Sequence, residues 1–444
     1  MSIARRSFLV STGAWLGASG MAAKLLGDEP PPVTQPRATS GDDVVEPSWT
    51  ERLTVTVGTR DGDLVGSTDK VIQAAVDYVS RLGGGTVRLA PGTYRFRNAV
   101  TLRSKVRLIG SGSDTICVKE PSVTTQLAVD SDWYDQEITL ADPAGFKVGD
   151  GICLRTKNPH HGGVDVAKRT LVARDGARFK LDRALRQNFW LEGKTTVSTL
   201  FPILTGEEIA GVAIENLVLD GNRERNEHLD GNYAGCVFLQ DCQRISMRGI
   251  EARNYNGDGL SWQICHDVIV ENCHSHHHAG LGLHPGSGSQ RPIMRKNRLE
   301  ANQIGIFFCW GVKFGLADEN TVVGNKCGIS IGHRDTDNVI TGNTIRESGD
   351  VGVLFRPERG KAFAPHRNRL VRNTIENNGP DASAAVDVQG ETEGVQILSS
   401  TISDRRPDTG RIGIRIGAST REIDLAANEI TGMAVQIEDL RSRK

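Results

Sequence analysis

Six short quartets between residues 270 and 331 decide the fold: Val270-Glu-Asn272-Cys, Gly280-Leu-Gly-Leu283, Arg295-Lys-Asn297-Arg, Gly305-Ile-Phe-Phe308, Asp318-Glu-Asn320-Thr and Gly328-Ile-Ser-Ile331. An Asn-centred quartet alternates with a Gly-led apolar run. Working outward, the third positions Gly249, Asn272, Asn297, Asn320, Asn343 and Asn373 are separated by 23, 25, 23, 23 and 30 residues, with Asn216 before them and Ser400 and Asn428 after. Each unit holds short β-runs between Asn and Gly turns and lacks the length for a crossover helix. A strand that cannot close its own sheet pairs with its equivalent in the next unit, about 4.8 Å away, and builds a solenoid of parallel sheets. The fold class is therefore all-β, a right-handed parallel β-helix, with the repeated Asn expected to stack as an amide ladder. A leucine-rich solenoid would need a Leu density that is absent.

Composition agrees. In 444 residues, 53 basic side chains face 54 acidic ones, so the electrostatic footprint of a nucleic-acid binder is missing. Fifty Gly and only 5% aromatic residues argue against a helical bundle or a membrane protein and for many turns. The segment Ala4-Arg5-Arg6-Ser-Phe8-Leu9, followed by a short Gly-rich apolar run and small residues, is similar to a twin-arginine export signal. The expected organisation is a signal over 1–27, a disordered Pro-rich linker over 28–52, an N-terminal cap with the first coils over 53–119, a β-rich insertion over 120–206, and β-helix coils over 207–444. The expected product is a periplasmic or secreted monomer with no membrane attachment once the signal is removed.

Residues from Asp69 to Leu82 alternate with helical period through Val71, Ile72, Ala75, Val76, Tyr78, Val79 and Leu82. They precede Gly83-Gly-Gly-Thr-Val-Arg-Leu-Ala-Pro-Gly-Thr-Tyr, a strand, a Pro-Gly turn and a strand. A helix over the open end of the solenoid would protect its exposed edge. This module resembles the N-terminal part of the pectate lyase superfamily, a resemblance that covers 53–113 closely and implies the β-helix rather than any one reaction.

Alternation along the Gly-led strands places Leu260, Trp262, Leu281, Leu283, Ile306, Phe308, Ile329, Ile331, Val353 and Phe355 inside, and Ser261, Gln263, His284, Phe307, Cys309, Ser330, Leu354 and Arg356 outside. Trp310 and Lys313, then His333, Arg334, Asp335 and Asp337, then Glu358, follow the strand ends, and Asp258 precedes one. Such a strip of acids, imidazoles, cations and rings suits an extended acidic or sulfated polysaccharide. Candidate catalytic residues are Asp258, His284, His333, Arg334 and Asp335; candidate substrate contacts are Trp310, Lys313, Arg356 and Glu358.

Asn256-Gly-Asp258-Gly, His278-Ala-Gly-Leu-Gly-Leu-His284 and Cys327-Gly-Ile-Ser-Ile-Gly-His333 together resemble the polygalacturonase family. Asp258 matches that family's first aspartate, but His278-Ala279 stands where the family has an aspartate pair and Cys327 where it has a His. Two-carboxylate hydrolysis, which needs groups about 6.5 to 9.5 Å apart, would have to use Asp258 with Asp335, and Asp337 or Glu358 in reserve. A lyase would instead use His284 or His333 as base with Arg334 or Arg356 facing the enolate. His284-Pro-Gly-Ser-Gly is also similar to a segment of alginate epimerases, so a uronate C5-epimerase is a third reading and a non-catalytic glycan-binding protein a fourth. No cofactor and no metal ligand set is assigned. Calcium would want more oxygen ligands than Asp335 and Asp337 supply, and Cys273-His274-Ser-His276-His277-His278 suggests either turn imidazoles or a shared ion. Cys242 and Cys265 are expected one coil apart, either as a disulfide or as stacked thiols.

Overall fold

The computed structural model describes residues 47–357, 359–407 and 410–442. The twin-arginine segment and Glu358 lie outside these residues. Three parallel sheets of 13, 11 and 11 strands run the length of the chain, each strand hydrogen-bonded to its equivalent one coil away. This is the right-handed parallel β-helix expected from the repeat. A continuous core threads the coils through Val237, Leu260, Leu283, Ile306, Ile329, Val353, Val386 and Ile414. Leu281 departs from the expected inner set: it opens its strand half-buried, opposite Ile304 of the next coil, where the chain is still leaving the turn.

The Asn ladder exists, shifted by one residue from the sequence alignment in its early coils. The backbone N–H and side-chain amide of Asn297 both donate to Asn320 Oδ1, those of Asn320 to Asn343, and those of Asn343 to Asn373, all at 2.9–3.0 Å. The equivalent slots earlier in the chain are Leu217, Ile250 and Cys273, and Cys273 N–H donates to Asn297 Oδ1 at 2.9 Å. Asn216, Gly249 and Asn272 sit one position earlier, in left-handed turn conformation with φ of 52°, 60° and 53°. Asn and Gly are the residues that tolerate that conformation, so a turn Asn in one coil mimics a ladder Asn in the next.

The helix Asp69–Arg81 covers the N-terminal end. It buries Ile72, Ala75, Val76 and Val79, a narrower stripe than the sequence suggested, while Tyr78 and Leu82 face outward. Strands between Thr124 and Ser198 form a separate antiparallel six-stranded sheet with its own apolar cluster around Phe146, Leu171, Phe179 and Phe189. All eight cysteines are free. Cys242 and Cys265 are stacked thiols, the N–H of Cys242 pointing at Cys265 Sγ 3.4 Å away, and each thiol donates to a backbone carbonyl two residues earlier. No helix among the described residues is long and apolar enough to cross a membrane.

Candidate functional site

On the outer face of the sheet containing Asp258–Gln263, Leu281–Gly286, Ile304–Phe308, Cys327–Ile331 and Val351–Phe355, register stacks Phe238, Ser261, His284, Phe307, Ser330 and Leu354 in one column. Asp258 begins its strand one coil before His284. Its Oδ2 lies 2.7 Å from His284 Nδ1 and its Oδ1 accepts the Leu281 N–H at 2.9 Å. A carboxylate accepts only, so His284 carries its proton on Nδ1 and keeps the lone pair of Nε2 bare. Nε2 is buried and has no hydrogen-bond partner. Most buried polar atoms are paired, which sets this nitrogen apart from the partnered turn imidazole of His278.

The carboxylate fits because glycines flank it. A Cβ on Gly231 would fall 1.7 Å from Asp258 Oδ2, and one on Gly280 2.2 Å from Oδ1. Gly231 belongs to the segment 221–234, which lies over the pair: Ser261 Oγ donates to Gly231 O at 3.0 Å, and Leu229 N–H to Asn256 O at 2.9 Å. The antiparallel insertion grips the same segment. Arg155 pairs with Glu227 at 2.6 Å and donates to His228 O, and Lys168 donates to Tyr233 O beneath the Phe238 ring. Burial pulls the Lys168 amine down to about 8.

Beyond His284 the column continues in rings and cations. The Phe307 ring lies 5.6 Å from the imidazole, and the Arg356 guanidinium 5.3 Å from the Phe307 ring. Gly332 leaves room for the Arg356 side chain, whose Cδ a Cβ there would meet at 2.6 Å. At the strand ends Trp310, 58% exposed, stacks on His333 with centroids 3.5 Å apart; Phe363 packs edge-on against the same imidazole at 5.1 Å, and Arg334 lies 4.1 Å over Phe363. Trp310, His333 and Arg334 are in left-handed conformation, which turns these side chains onto one strip.

Two candidates go elsewhere. Asp335 is fully buried inside the turn stack, in the slot that Cys242, Cys265 and Ser289 occupy in earlier coils, and accepts the N–H groups of Gly311, Val312 and Gly332 at 2.8–2.9 Å. Burial pushes its carboxyl up to about 7 against the pull of those N–H groups and Arg356. With its oxygens occupied by turn amides it does not face the outer column, and it offers no exposed carboxylate to pair with Asp258 for hydrolysis. Lys313 accompanies Asp337, whose carboxylate is held low by a bidentate bond from Arg367. His278 is a buried turn imidazole: Nδ1 accepts the Tyr255 N–H, Nε2 donates to Ala252 O, and burial lowers it to about 3. The glycine cradle and the segment over the pair escaped sequence reasoning. Gly280 is legible afterwards as the glycine one coil beyond Gly257, whose carbonyl accepts its N–H, but nothing in the sequence ties Gly231 to a carboxylate 27 residues on.

A family model described as periplasmic copper-binding protein (NosD) matches residues 192–397. A capsule K1-specific depolymerase of Klebsiella phage K64-1 is 21% identical over 262 residues, 54% of this chain and 28% of that protein. The chain thus spans less than a third of that relative's length. Among solved structures, the A-module of the Azotobacter vinelandii mannuronan C-5 epimerase AlgE6 superposes with a TM-score of 0.54 at 16% identity, over 85% of this chain and 95% of that one. The Streptococcus pneumoniae surface protein and adhesin PfbA gives 0.50 at 12% identity, over 84% and 95%. At these identities the likeness is one of fold. Against the copper of the family description, no group of three or more His, Cys, Asp or Glu side chains among the described residues is arranged around a metal position. Cys242, Cys265 and Cys273 sit in turn stacks, Cys117, Cys153 and Cys236 are buried within strands, and His284 Nδ1 is engaged by Asp258.

Proposed function

We propose that this chain is an exported enzyme acting on an acidic polysaccharide by removing the proton α to a uronate carboxylate. The observation that carries this reading is the 2.7 Å Asp258–His284 pair with its bare Nε2. The C5–H proton passes to Nε2, Asp258 holds the imidazole orientation and stabilises the imidazolium, and the electron pair moves into the substrate carboxylate as an enolate facing Arg356. From there the C4–O bond breaks, the C4–C5 double bond forms and the leaving O4 takes a proton from water or the imidazolium, giving an unsaturated end, or water delivers a proton to the other face of C5 and inverts it while the imidazolium returns its proton to solvent. In this reading the exposed Trp310 and its neighbours stack sugar rings further along the strip.

Related proteins support the substrate class: one is named a capsule-specific depolymerase, another a mannuronan C-5 epimerase. The burial of Asp335 argues against two-carboxylate hydrolysis. The matched family's description, with the twin-arginine-like N-terminus, supports a periplasmic location. A non-catalytic glycan-binding groove is the second reading, favoured by side-chain exposures of 4% and 3% at His284 and Asp258; catalysis requires the 221–234 segment or Phe307 to give way. Mass spectrometry for fragments and proton NMR for C5 configuration, on polymannuronate, polyguluronate and polygalacturonate after incubation with wild type and His284→Ala, test this. Unsaturated fragments or inverted residues that vanish in the variant support it, and fragments carrying one added water, or wild-type products undiminished in the variant, refute it.

A further inference from the structure

The segment 221–234 closes over Asp258 and His284, and its last part is a self-contained turn. Asp230 O accepts the N–H groups of Tyr233 and Ala234 at 2.9 and 3.2 Å, and Asp230 Oδ1 accepts from the N–H and side-chain amide of Asn232. Neutral bonds join the segment to the solenoid beneath: Asn256 donates its side-chain amide to Asn226 O and accepts the Leu229 N–H on its own carbonyl, and Ser261 Oγ donates to Gly231 O. The antiparallel insertion holds it with two cations instead. Arg155 meets Glu227 Oε2 at 2.6 Å and His228 O at 3.0 Å, and Lys168 donates to Tyr233 O.

These cations come from adjacent strands of the insertion. Arg155 lies opposite Val166, and Lys168 opposite Cys153, so the two are diagonal neighbours on one face of the hairpin. Lys168 also sits 4.0 Å over the Phe238 ring, at the head of the column that continues through Ser261 to His284. Glu207 and Arg183 are other charges that act on it, with opposite signs. Glu227 takes only one nitrogen of the Arg155 fork, and Nε is buried without a partner.

We propose that Arg155 and Lys168 form a carboxylate-binding subsite which the 221–234 strap occupies when closed, and that an acidic polysaccharide opens the strap by taking both cations. The exchange favours the polymer. A uronate carboxylate can engage Nε and Nη2 of Arg155 together, and on Lys168 it replaces a neutral carbonyl with a charged acceptor; bidentate and charge-assisted bonds are the stronger kinds. A neutral glycan offers no such exchange, so the strap selects for charge before the Asp258–His284 pair is uncovered. This deepens the proposed function and rests on it for the identity of the polymer.

The test is hydrogen exchange by mass spectrometry on the full chain, alone and with polygalacturonate, polymannuronate or neutral dextran. It is joined by diethyl pyrocarbonate labelling of the polymer-free chain, read at His284. In free wild type the strap should be protected and His284 unlabelled. A polyuronate should speed exchange over 222–234 at least about fivefold, and dextran should leave it unchanged. The double variant Arg155→Ala, Lys168→Met should show the same acceleration without polymer and a labelled His284. Glu227→Gln, which keeps both cations, should accelerate the strap as well, with peptides over 294–345 unchanged in every case. No acceleration with either polyuronate, equal acceleration with dextran, a strap as protected in these variants as in wild type, or acceleration shared equally by 294–345 would each overturn the proposal. Neither readout needs turnover: a strap that opens without products refutes the enzymatic reading alone, and products formed with the strap closed refute the strap alone.

Discussion

Replacing Asn320 with Ala removes one rung of the ladder, and the structure says which partners lose everything. The Asn320 side chain accepts from the N–H and side-chain amide of Asn297 and donates to Met294 O and Asn343 Oδ1. Asn297 Nδ2 keeps Val270 O, and Asn343 Oδ1 keeps the Asn320 N–H. The Asn297 N–H and the Met294 carbonyl lose their rung partner inside a position that is 1% exposed. At about 1–3 kcal/mol for each buried orphan the cost is about 2–6 kcal/mol. In a solenoid that cost falls on the neighbouring coils. Hydrogen exchange followed by mass spectrometry should therefore show peptides covering 294–345 exchanging about 30- to 10⁴-fold faster, with the N-terminal cap much less affected. Asn272→Gly is the control: the same letter in the repeat, but exposed and left-handed, so its effect should stay within about 0.5 kcal/mol. An Asn320→Ala chain whose exchange changes by less than about threefold, or an Asn272→Gly chain that loses as much, would refute the ladder energetics and the one-residue shift together.

Asp335 gives a pH dependence of definite sign. Its folded pKa, raised to about 7 from 3.8, means that the folded chain holds a proton the unfolded chain has released, so stability falls as pH rises between these values, by up to about 4 kcal/mol. Denaturation midpoints of wild type and Asp335→Asn from pH 4 to 8 should diverge accordingly, and a constant difference would count against it. Gly231→Ala puts a Cβ 1.7 Å from Asp258 Oδ2 and should cost about 1–3 kcal/mol in a thermal melt while displacing the segment over the pair; an unchanged melt would mean that the contact relaxes freely. Asp258→Asn removes the negative charge that stabilises the imidazolium and, if its amide oxygen keeps the Leu281 N–H, turns an NH₂ toward His284 Nδ1 and favours the wrong tautomer; turnover of a uronate polymer should fall about 10²- to 10⁴-fold. Activity within threefold of wild type would remove the pair from the mechanism.

The β-helix was legible because its cause is periodic: a Gly-led apolar run recurring about every 23 residues can satisfy its backbone only by stacking. The fine register was not, because Asn serves two purposes one position apart. Asn272 is chosen by a left-handed φ and Asn297 by a buried amide bond, and the letter alone does not separate them. Strand alternation put His284 outward and next to the coil of Asp258, and the structure brings the two within bonding distance. Asp335 was misplaced for a matching reason. The residue four after a strand end can face outward or fold into the turn, and the choice depends on whether neighbouring amides need an acceptor, as those of Gly311 and Val312 do. The Gly231 contact is long-range and carries no pattern, so only coordinates reveal it.

The most direct test of the central claim is to incubate the chain with a uronate polysaccharide in D₂O and follow C5–H by NMR. Proton abstraction by His284 predicts that C5–H is lost, either replaced by deuterium in an intact chain or eliminated in an unsaturated end, and that His284→Ala abolishes the change. Cleavage with every C5–H retained would contradict it and return the site to hydrolysis.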